Sequence, residues 1–81
     1  MNYEDKAKFI KGLQVALQKE RTAHRTYLAL ARNESNEARR KALIGLSETE
    51  AGHSERWATR LKELGAEVPT DRESLSERIW R

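Results

Sequence analysis

Between Tyr3 and Leu64 the sequence offers one place to turn, the polar tetrapeptide Asn33-Glu34-Ser35-Asn36. On either side of it lie long runs of Ala, Leu, Lys, Glu and Arg without a proline, and such runs favour helix. Asn2 is placed to cap the first run, with Glu4 and Asp5 in its first turn to complement the helix dipole. Ser35 is the expected cap of the second. Gly65 should stop that helix near Leu64, and Pro69 follows. Two helices of roughly 30 residues, each about 45 Å long, joined by so short a connection must run antiparallel. The expected fold is therefore all-α, a two-helix hairpin over residues 1–68. Residues 69–81 read as a tail or linker carrying a short amphipathic segment, Leu75, Ile79 and Trp80.

Each run carries an apolar stripe at steps of three and four. The first reads Phe9, Leu13, Ala16 and Leu17, then position 20, then Ala23, Tyr27 and Leu30. The second reads Leu43, Leu46, positions 50 and 53, Trp57, Leu61 and Leu64. A chain of 81 residues buries little apolar surface on its own. A bare hairpin also leaves its flanks wet, so pairing of two copies into a four-helix bundle is expected.

The stripes are interrupted by charge. Glu20 stands where the first helix needs an apolar residue, and Glu50 and His53 do so in the second. A buried carboxylate without a partner costs several kcal/mol, so it takes up a proton or acquires a cation. Glu50 and His53, three apart, project from one helical face and can hold one ion together. Two copies would bring two each of Glu20, Glu50 and His53. One Glu from each of two helices and Glu-x-x-His from each of two others is the donor set of carboxylate di-iron bundles. Glu-x-x-His alone is a common match; its weight comes from Glu20 in register on the facing stripe. The competing reading puts Glu20 and Glu50 at the edge of a narrow stripe, reaching solvent.

Composition removes several other classes. There is no cysteine, which excludes a disulfide framework, a zinc-thiolate site and a rubredoxin-type iron centre. The net charge is +3, but 16 basic residues are interspersed with 13 acidic ones, and the densest basic run is Arg39-Arg40-Lys41. A solvated surface explains that better than a nucleic-acid partner. No apolar run approaches a membrane span, and the N-terminus lacks a signal-peptide core, so a cytoplasmic protein is expected.

Glu20-Arg-Thr-Ala-His-Arg-Thr-Tyr27 resembles the first-helix pattern of rubrerythrin-type ferritin-like proteins, and Glu48-Thr-Glu50-Ala-Gly-His53 their second-helix segment. The stretch from His53 through Trp57, Leu61, Leu64 and Gly65 to Val68-Pro69 looks most like one branch. That branch is the ferritin-like domain preceding the membrane part of vacuolar-iron-transporter-like proteins. The resemblance covers roughly residues 10 to 69. It implies two iron ions per dimer, with Glu50 bridging, Glu20 and His53 terminal, and Tyr27 near by as a hydrogen-bond partner. It also implies ferroxidase chemistry, Fe(II) oxidation by oxygen or peroxide, or capture of iron for storage or for an associated membrane transporter. Rubrerythrin carries four helices and a cysteine-rich module on one chain. Both are absent here, so a rubredoxin-driven peroxidase cycle is in doubt and the site would depend on dimerisation.

Three alternatives remain open. The hairpin could be a dimerising protein-interaction module without metal, a nucleic-acid accessory, or a structural manganese or zinc site. Around the ligands, His24 reads as a supporting residue rather than an extra ligand. Trp57 either shields the site or simply packs, and Glu48 faces solvent. Ala38, Ala42, Gly45, Thr49 and Gly52 form a small-residue stripe suited to close approach of a neighbouring helix.

Overall fold

The computed structural model describes residues 2–71. It contains two helices, α1 (Tyr3–Arg32) and α2 (Glu37–Glu63), and among the described residues there is no strand. The helices pack antiparallel, His24 lying against Ser47 and Glu20 against His53. No helix among the described residues is long and apolar enough to cross a membrane.

The cap of α1 is as expected: the Asn2 side chain accepts the Asp5 amide at 2.8 Å. The cap of α2 is not Ser35 but Asn36, whose Oδ1 accepts the Arg39 amide at 3.0 Å. Ser and Asn cap about equally well, so the choice falls to their neighbour Glu34. Its carboxylate accepts the Asn36 backbone amide at 3.0 Å and the Arg39 guanidinium at 3.2 Å. Those contacts, the Asn36 amide foremost, hold the Glu34 carboxyl below its ordinary range. The connection is thereby closed by its own side chains.

Gly65 ends α2 with φ of 70°. The Ala66 amide bonds back to Leu61 at 2.9 Å and the Gly65 amide to Lys62 at 3.0 Å. This paired closure needs a left-handed residue, which glycine adopts without penalty. The reversal aims the chain back along α1. Residues 66–71 then form an extended strap whose carbonyls have no sheet partner and must be satisfied otherwise. Side chains of α1 do this. Gln14 donates to the Glu67 carbonyl (3.0 Å), Gln18 to Thr70 (3.2 Å) and Arg21 to Pro69 (2.6 Å), while Arg25 pairs with the Asp71 carboxylate. Pro69 to Asp71 thus lie against α1. The amphipathic positions Leu75, Ile79 and Trp80 lie outside the described residues.

Leu13, Leu17 and Leu61 form the core, enclosed by Ile10, Trp57, Ala58 and Leu64 and by Ala66 and Val68 of the strap. Two helices alone leave such a core open on both sides, so strap and tryptophan are what close it. Phe9, Leu30 and Leu46 behave differently from the sequence expectation, remaining 39%, 42% and 46% exposed. The apolar stripes are wider than one helix–helix seam, and a single chain buries only one edge of each.

Candidate metal centre

Glu20 is carried by the middle of α1, Glu50 and His53 by the middle of α2, where the helices are held on both sides and their backbones are fixed. The sequence named these three residues, and the structure brings them together. One ligand atom from each lies within 4.8 Å of the others. His53 Nδ1 is 3.2 Å from Glu20 Oε2 and 3.7 Å from Glu50 Oε1. The imidazole therefore turns Nδ1 toward both carboxylates. None of the three is sealed off: Glu20 and Glu50 side chains are about a quarter exposed, at 25% and 23%. The cluster sits on an open flank of the hairpin rather than in the leucine core.

Electrostatics disfavour the charged form of Glu50 in this cluster. The Glu50 carboxyl is pushed above its ordinary value of 4.5, first by a hydrogen bond with Glu20, then by desolvation and by repulsion from the Glu20 charge. The His53 ring opposes that shift only in part. A carboxyl whose charged form is disfavoured by a neighbouring carboxylate gains from a cation placed between the two. The donors are two carboxylates and one imidazole with no thiolate, a combination that suits borderline first-row divalent ions rather than soft ones. Three ligands leave coordination positions unfilled on the open flank. The residues present thus fit such an ion.

The raised Glu50 pKa carries a stability consequence for the metal-free chain. A group whose folded pKa lies above its unfolded value binds protons on folding. Its contribution is complete below the unfolded pKa and is lost as pH rises through the folded one. Acidifying the metal-free chain from neutral pH toward 4.5 should therefore raise its urea midpoint at this site, and Glu50→Gln should remove that gain. Glu34, depressed rather than raised, contributes with the opposite sign but is common to both chains, so their difference isolates Glu50. Superimposable midpoint–pH curves for the two proteins would contradict the raised Glu50 pKa.

The surrounding residues divide between expectation and surprise. His24 is not among the three converging ligands; its Nδ1 lies 2.8 Å from the Ser47 carbonyl, across the seam. Trp57, one turn beyond His53, packs on the leucine core, and its indole Nε1 is buried without a hydrogen-bond partner. Tyr27 is half-buried and Glu48 exposed. Gly45 and Gly52 are exposed, and a Cβ at either would meet nothing within 4 Å, so among the described residues no helix packs against them. Ser47, fully buried, escaped the sequence reading. Its signal was present: Ser47, Ser54 and Leu61 recur every seventh residue along the edge of α2 that meets α1.

No family model, curated protein or solved structure matches this chain.

Proposed function

We propose that this chain is a ferritin-like iron-binding hairpin, in which Glu20, Glu50 and His53 hold Fe(II) and a second copy completes the site. The observation that carries the reading is the convergence of two carboxylates and an imidazole, from two helices, within 4.8 Å. Two further features support the pairing of copies. Phe9, Ala16, Glu20, Ala23, Tyr27 and Leu30 follow one another at helical steps, as do Leu46, Glu50, His53 and Trp57. The exposed Phe9, Leu30 and Leu46 therefore flank the ligands on one face. Apposing two such faces would cover that apolar surface and gather six ligands around two ions, the donor set of carboxylate di-iron bundles.

In this reading the residues of the chain have distinct tasks. Glu20 and Glu50 bind the cation as carboxylates, so protonation of the raised Glu50 carboxyl competes with uptake, and rising pH favours it. His53 binds through Nδ1, the nitrogen already turned toward the carboxylates. Trp57 and the leucines behind it limit water on the α2 side. Bound Fe(II) would supply one-electron reducing power toward oxygen or peroxide. Iron oxidation, or capture of iron for storage or for a membrane transporter on the cytoplasmic side, is the service we assign to it.

Anaerobic Fe(II) titration by calorimetry tests the proposal. The native chain should bind one iron per copy, and Glu50→Ala should bind it more than about tenfold more weakly, since even residues behind a ligand are worth that much. Absence of binding, or undiminished binding by the variant, would refute it.

A further inference from the structure

The leucine seam by itself sets no fixed register between the helices. Leu13, Leu17 and Leu61 can repack after a small slide, because apolar contacts tolerate rearrangement at little cost. A ligand site drawn from both helices has no such tolerance. A slip of one turn, about 5.4 Å, would carry Glu50 and His53 out of reach of Glu20. The closed 33–36 connection tethers the helices at one end only, several turns from the ligands, so a contact nearer to them is what would hold α2 lengthwise against α1 there.

His24 and Ser47 meet that need. The Ser47 carbonyl can only accept, so the 2.8 Å contact requires that His24 Nδ1 carry the proton and donate it. His24 lies one turn after Glu20 on α1, and Ser47 lies one turn before Glu50 on α2. Ser47 is fully buried, and its hydroxyl is already committed to the Ile44 carbonyl at 3.0 Å. It therefore does not compete for the imidazole, and its small side chain leaves the ring room in the seam. A directional bond within an apolar seam selects one alignment among several of similar energy, as buried polar groups do in coiled coils.

We infer that His24 is a positioning residue of the metal centre: its Nδ1–H bond to the Ser47 carbonyl fixes the helix register that brings Glu20 opposite Glu50 and His53. The inference rests on the proposed metal site for its functional meaning. It does not make His24 a ligand.

Two replacements test it. His24→Leu removes the donor and keeps an apolar seam, whereas His24→Gln restores an N–H able to reach the carbonyl. Co(II) serves as the probe, read by its affinity and its visible absorption, together with the ¹⁵N shifts of the His53 ring in the metal-free protein. His24→Leu should retain its helicity, bind Co(II) about 10–100-fold more weakly and displace the His53 shifts. His24→Gln should recover most of both. Native affinity and native His53 shifts in His24→Leu would overturn the inference. So would equal weakening in both variants with an altered Co(II) spectrum, since that marks His24 as a ligand. If the native chain binds no Co(II), the proposed function fails separately. The metal-free shifts then decide: displaced by Leu and restored by Gln upholds the register role, unmoved by Leu ends it. Should His24→Leu not fold, His24→Asn takes its place, carrying the same amide one methylene too short.

Discussion

Saturating Fe(II), added without oxygen, should raise the thermal midpoint of the native chain by roughly 10–20 °C. A ligand present at a hundred times its dissociation constant stabilises the state it binds by about 2.7 kcal/mol. In a chain this small each kcal/mol moves the midpoint by about 4–8 °C. The Glu50→Ala comparison makes the test sharper. Without metal the variant lacks the carboxylate that Glu20 forces toward its protonated form, so it should melt no lower than the native chain at neutral pH. With metal it should gain little. The order of the two midpoints is expected to reverse on loading, a pattern that general salt effects do not produce. If both proteins rise together, iron is acting somewhere other than these carboxylates.

On the proposed pairing of ligand faces, Leu46→Asp should leave a folded chain that no longer dimerises. Leu46 is 46% exposed in the single chain, so a carboxylate there is harmless to the hairpin itself. At an apposed face it would be buried without a partner, at a cost of several kcal/mol. The dimer dissociation constant should therefore rise by at least about a hundredfold, since each 1.4 kcal/mol is tenfold. Val15→Asp supplies the control. Val15 is similarly exposed, at 44%, but belongs to the opposite side of α1 from Glu20, near the strap. It should not affect association. Sedimentation equilibrium distinguishes the cases, and a Leu46→Asp protein that still pairs like the native one would show that the ligand face is not the contact.

What could be read from the sequence was whatever depends on local chemistry. The two helices, the Asn2 cap and the glycine stop at Gly65 follow from propensity and from signals within a few residues. The Glu20, Glu50 and His53 group was legible for a different reason: charges at apolar positions are conspicuous, and antiparallel geometry allows only certain positions to meet. What escaped depended on distant parts of the chain. Whether Phe9 or Leu13 faces the partner helix is decided by which edge of a broad stripe the seam uses. Whether Pro69 ends a domain or lies along α1 depends on Gln14, Gln18 and Arg21, far away in sequence, reaching its strap. Ser47 went unnoticed because a lone serine carries no apolar signal, yet its hydroxyl bonds within its own helix and its carbonyl accepts from His24.

The strap also makes the two sides of the hairpin unlike. Gln18 and Arg25 stand roughly 140–160° around α1 from Glu20, at 100° per residue, and they hold Thr70 and Asp71 there. The chain therefore has a front and a back. Its strap is at the back, and the Glu20, Glu50 and His53 cluster is at the front. Two hairpins meeting front to front would therefore carry their straps on the two outward sides, clear of the carboxylates.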